Sequence, residues 1–180
     1  EYYRHECNPH AIQGWTVASV DVDEWMPPGE KDYAACAKGM REAKKQWPNT
    51  FIACYVTNPH EPTFQSLVHE GTIDLAIIEG YTNIWNQVNM NWDWVLNRCD
   101  SMKQGGLIDK TVVLFGHISD AMTPDHLNGV VALVHDSYPG MPGMGYYGIS
   151  VKDEAYGKSL ILFAERLAEL YYGDDVLFID

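Results

Sequence analysis

Asp21, Asp23 and Glu24 stand together at the end of an apolar run, Trp15 to Val20, in the stretch GWTVASVDVDEW. The β-branched content of that run predicts a strand buried on both faces. Side chains alternate along a strand, so Ser19, Asp21 and Asp23 share one face while Val20 and Val22 share the other. Acids on one face are expensive to bury unless they have partners or a task. A further acid, Glu79, lies near the end of another apolar run, Ile73 to Thr82. Closely spaced carboxylates such as Asp21 and Asp23 split their apparent pKa values, which provides a protonated and an ionised group near neutral pH. That pairing suits cleavage of a glycosidic bond, where one acid delivers a proton and another anion stabilises positive charge.

Further polar and aromatic residues fall at the ends of apolar runs: Trp25; Tyr55, Asn58 and His60; Tyr81 and Asn83; His117; Tyr146 and Tyr147. No Lys or Arg is among them. Trp and Tyr faces stack on pyranose rings and add placement. Trp25, Tyr55, Asn58, Tyr81, His117 and Tyr147 are therefore the expected substrate-binding residues. Tyr146 and Tyr147 point to opposite faces, so at most one lines a pocket. Nothing in the spacing of His60, His117 and Glu79 requires a metal ion, and neither metal nor cofactor is expected. A phosphate site wants a glycine-rich loop entering a helix. Gly143 to Gly145 instead opens a strand, so nucleotide binding is disfavoured. The nucleophile elbow GxSxG is absent.

The elements that must position these residues alternate from one end of the chain to the other. Residues 30–47 carry Tyr33, Cys36, Met40, Ala43 and Trp47 at helical spacing, with lysines opposite, and Pro48 stops them. FIACYVT (51–57) predicts a second buried strand, followed by the rigid loop Asn58 to Pro62. A short helix follows, with Phe64, Leu67 and Val68 inward and Gly71 at its C-terminal cap. After the strand 73–82 comes a helix with Val88, Trp92, Val95, Cys99 and Met102 on one face, stopped at Gly105-Gly106. TVVLFGHI (111–118) predicts the fourth strand. Thr123-Pro124 starts a helix with Leu127, Val130, Val131, Val134 and Tyr138 inward. GMGYYGI (143–149) predicts a fifth strand. Ser150 to Asp153 resembles a capping box, before a stripe of Leu160, Phe163, Leu167 and Leu170. DVLFID at the end reads as a sixth strand or an extended tail.

This β–α alternation predicts an α/β fold, a mostly parallel sheet with helices packed on it, in one (β/α) domain over residues 1–180. Two architectures fit. Length favours an open doubly wound sheet, because a (β/α) barrel has about 250 residues. The chemistry at the strand ends favours a TIM-barrel-like arrangement, which at this length is a partial barrel.

Composition narrows the partners. Among 180 residues, six Trp, eleven Tyr and 46% apolar residues exclude a disordered chain. The formal net charge of −13 argues against nucleic acid or an anionic membrane surface. The few basic residues gather on one segment (Lys38, Arg41, Lys44, Lys45), the pattern of a solvated helix face. No apolar run is long enough to span a membrane. No signal-peptide pattern is present, and a chain that opens on Glu1 rather than Met is expected to be a processed or excised piece. Four cysteines without CxxC spacing (Cys7, Cys36, Cys54, Cys99) do not suggest a zinc site, and they read as buried free thiols in preference to disulfides. Composition leaves the compartment open; a polysaccharide substrate implies a secreted or extracellular protein.

The first strand resembles the signature strand of the chitinase-like glycoside hydrolases, whose DxDxE motif ends the fourth barrel strand. IDLAIIEGYT resembles that family's strand ending in Met-x-Tyr-Asp, which implies a substrate-orienting role for Tyr81. KTVVLFGHI resembles its seventh strand and GMGYYGI its eighth. The resemblance implies that the chain spans the second half of a barrel, from its fourth strand onward. The departures are specific. The family's acid falls on Trp25 in one alignment and on Asp23 in the other, with Glu24 one residue out of phase. Thr82 stands at the family's Asp, and Tyr146 or Tyr147 at its Trp, while Glu79 has no counterpart.

The functional expectation is a glycoside-hydrolase-like protein acting on polysaccharide or oligosaccharide. Asp23 or Glu24 is the expected proton donor and Glu79 or Asp21 the second carboxylate. The alternative is a non-catalytic carbohydrate-binding or structural protein on the same scaffold, and a third reading is a small open-sheet enzyme of unrelated chemistry. Half a barrel leaves two sheet edges and an uncovered interior, so a second chain or another copy of this one is expected to complete the fold.

Overall fold

The computed structural model describes residues 17–21, 33–56, 58–81, 93–116, 124–147 and 164–171. Within them five strands alternate with helices: β1 (Val17–Asp21), α1 (Tyr33–Gln46), β2 (Phe51–Val56), α2 (Pro62–His69), β3 (Leu75–Tyr81), α3 (Asp93–Gln104), β4 (Thr111–Gly116), α4 (Pro124–Ser137) and β5 (Gly143–Tyr147). A turn of 3₁₀ helix, Ile108–Lys110, leads into β4, and residues 164–171 are helical. The capping segment at Ser150, the tail DVLFID, Val88, Trp92, Leu160, Phe163 and Cys7 lie outside the described residues.

All five strands are parallel, and their spatial order is their chain order, β1-β2-β3-β4-β5. A doubly wound sheet reverses its order at a switch point. These five strands do not reverse, so every crossover steps the same way. Because crossovers between parallel strands are right-handed, such winding sets the helices on one face of the sheet. This is the winding of a partial barrel, or of an open sheet with helices on one side.

Burial shows which face that is. Ile52, Cys54 and Val56 of β2, Ala76 and Ile78 of β3, and Val113 and Phe115 of β4 belong to one buried cluster. The same cluster holds Ala37 and Met40 of α1, Phe64, Leu67 and Val68 of α2, Val95, Cys99 and Met102 of α3, and Val130, Val131 and Val134 of α4. Residues of the other parity are treated differently. Phe51 is exposed, Tyr55, Leu75, Ile77, Glu79, Val112 and Leu114 are half-buried, and the small Ala53 is buried. The strands are apolar on both faces, yet among the described residues only one face is packed by helices.

The helices end where their sequences say. Glu61 caps α2, its Oε2 accepting from Phe64 N at 2.8 Å, with Pro62 in the first turn. Gly71 (φ 76°) and Gly106 (φ 68°) turn the chain out of α2 and α3 in the left-handed region. The basic face of α1 is not simply solvated. Lys44 Nζ meets Asp74 Oδ2 at 2.6 Å and Thr50 O at 2.8 Å, and Arg41 Nε meets Glu70 Oε1 at 2.7 Å. The Arg41 guanidinium, joined by the Thr72 hydroxyl, holds the Glu70 carboxyl below the usual carboxylate range. Cys36, Cys54 and Cys99 are free thiols; Cys54 and Cys99 are buried, whereas Cys36 is only partly so.

Candidate functional site

Register fixes which candidate residues share the face that the helices leave uncovered. In parallel ladders, partnered residues take the same face. Asp21 pairs with Tyr55, Tyr55 with Ile77, Ile77 with Val112, and Val112 with Gly143. One row further along, Glu79 pairs with Leu114 and Leu114 with Gly145. The last row joins Tyr81, Gly116 and Tyr147. Asp21, Tyr55, Glu79, Tyr81 and Tyr147 therefore all take register positions on one face, toward the carboxyl ends of their strands. Tyr146 pairs with Phe115 and takes the opposite face.

Glu79 is the carboxylate whose setting is best defined. It is half-buried, beside Leu114 across the ladder and one row above Ile77 and Val112. The next residue, Gly80, faces the helices in a space with no room for a side chain. A Cβ there would stand 2.9 Å from Val113 Cγ1 and 3.0 Å from Phe115 Cδ1. Gly143 and Gly145 leave the facing positions of β5 without side chains. A Cβ at Gly143 would meet nothing within 4 Å, and one at Gly145 would meet Leu114 Cδ1 at 2.9 Å.

Asn58 is held by a tethered loop. The Pro59 carbonyl accepts from Gln65 Nε2 at 2.7 Å and from Ser101 Oγ at 3.2 Å, and Glu61 N donates to Asn58 O at 3.2 Å. Pro59 is buried while Asn58 and His60 are exposed. A groove of about 360 Å³, its open mouth included, lies between α1, α2 and the end of β2. Tyr33, Cys36, Met40, Tyr55, Asn58 and Phe64 are among the residues lining it; the groove lies on the helix side of the sheet, away from the face that Glu79 takes.

Asp23, Glu24, Trp25 and His117 lie outside the described residues. Among the described residues no three His, Cys, Asp or Glu side chains converge in a way that would hold a metal ion. No described helix is long and apolar enough to cross a membrane. Sequence reasoning missed Gln65 and Ser101, which fix the Asn58 loop. Each is a polar residue on an amphipathic helix, and neither carries a local signal of its partner. The glycine at position 80 was visible as a break in an apolar strand, the mark of a close approach.

No protein-family model matches the chain, and no curated protein does.

Proposed function

We propose that the chain is a glycoside-hydrolase-like protein that acts on oligosaccharide or polysaccharide at the helix-free face of the sheet. One observation carries the reading. Asp21 on β1, Tyr55 on β2, and Glu79 and Tyr81 on β3 take the same face near the carboxyl ends of adjacent parallel strands. Carboxylates flanked by aromatic positions are what protonation of a glycosidic oxygen and placement of a sugar ring demand. Glu79 supplies one carboxylate and Asp21 or Asp23 of the first strand its counterpart, with Glu24 the other proton-donor candidate. A polysaccharide substrate places the protein outside the cell.

The test is product release from a panel of β-linked oligosaccharides, chitin fragments included, followed by mass spectrometry for the wild-type chain, Glu79→Gln and Asp23→Asn. Cleavage abolished by both substitutions is the expected result. Cleavage lost only with Asp23→Asn would favour the chitinase-like arrangement and reduce Glu79 to a structural role. Binding without cleavage in the wild type would move the protein to the non-catalytic class.

The reading includes a second chain, or another copy of this one, at the sheet's outer strands. Among the described strands, β1 and β5 are each paired on one side only. Light scattering on the isolated chain is expected to give more than the monomer mass, and a well-behaved monomer would count against assembly.

A further inference from the structure

We draw no further inference here: the strongest candidate, the apolar groove between α1, α2 and the end of β2 with the partly buried Cys36 thiol in its wall, carries none because nothing in the structure shows what covers it.

Discussion

Two glycine-to-alanine substitutions are expected to act with opposite signs. At Gly80, a Cβ would lie 2.9 Å from Val113 Cγ1, 3.0 Å from Phe115 Cδ1 and 3.3 Å from Leu114 O. Val113 and Phe115 are at most 1% exposed, and the oxygen belongs to the neighbouring strand's backbone. None of the three has room to retreat, so relief must come from widening the β3–β4 ladder at the row beside Glu79. Overpacking of a filled core costs about 1–3 kcal/mol, and this site belongs in the upper half of that range. At a urea m-value of about 2 kcal/mol/M, the midpoint falls by about 1 M. Gly129 is the control. It lies inside α4, exposed, with nothing within 4 Å of a built Cβ. There alanine removes unfolded-state freedom and raises stability by about 0.5–1 kcal/mol. Urea unfolding followed by far-UV circular dichroism reads both. A Gly80→Ala midpoint equal to wild type, or a Gly129→Ala midpoint below it, would refute the packing argument.

Asp74→Ala should cost about 2–3 kcal/mol in the same assay, because Asp74 Oδ2 accepts from Lys44 Nζ at 2.6 Å and from Ile52 N at 2.8 Å, and its loss strands a buried N–H. Asp74→Asn keeps an acceptor for Ile52 and should cost less; equal losses would show that the N–H bond contributes nothing. Alkali should also destabilise the fold, since burial, reinforced by Asp100, pushes the Cys99 thiol from 9.0 up to about 12. Between those values the unfolded chain binds fewer protons than the folded one, so the stability present below pH 9 is lost as pH rises, by at most about 1.4 kcal/mol per pH unit for this group. Burial and the hydrogen bond to Asp100 raise Tyr138 as well, so it acts in the same direction. Urea midpoints measured across that range should fall with pH, and Cys99→Ala should flatten the slope; an unchanged slope would refute the assignment.

The parts of the fold that were legible in the sequence are those fixed by neighbours in the chain. Val95, Cys99 and Met102 recur at helical spacing, and all three are buried; so are Val130, Val131, Val134 and Tyr138. The inward set of α2 was readable for the same reason. What the sequence hid are contacts between distant residues. Lys44 belongs to a run of basic residues that reads as a solvated face, and its partner Asp74 lies thirty positions away. Ser101 reaches Pro59 across 42 positions. Strand order was hidden too, because a crossover helix of given length serves an adjacent strand or a skipped one. FIACYVT is apolar throughout, so periodicity does not say which parity faces the helices. The three-dimensional pairing decides it, and Tyr55 falls on the uncovered side. Of the candidate site, the residue types were visible and their common face was visible only within a strand. That Asp21 and Glu79 share a face follows from the register linking three strands.

That register also bounds what the two carboxylates can do together. Asp21 stands in the row of Tyr55 and Ile77, and Glu79 stands one row above, on the second strand over. On a flat sheet this places their Cα atoms roughly 10 Å apart across the strands and roughly 7 Å along them, about 12 Å in all. Side chains rising in parallel from a flat sheet would keep that separation, too wide for both acids to serve one bond. Curling toward the uncovered face tilts them toward each other. The described helices pack on only one side and leave that face free to become concave, as it is in a barrel. Gly143 and Gly145, without side chains on that face, make room on the far wall of the concavity. The distance between a first-strand acid and Glu79 is therefore a property of sheet curvature. Curvature in turn rests on positions with no catalytic chemistry of their own, Gly80 first among them. A substitution that only widens the β3–β4 ladder moves Glu79 and should weaken any chemistry shared between the strands before it unfolds the chain.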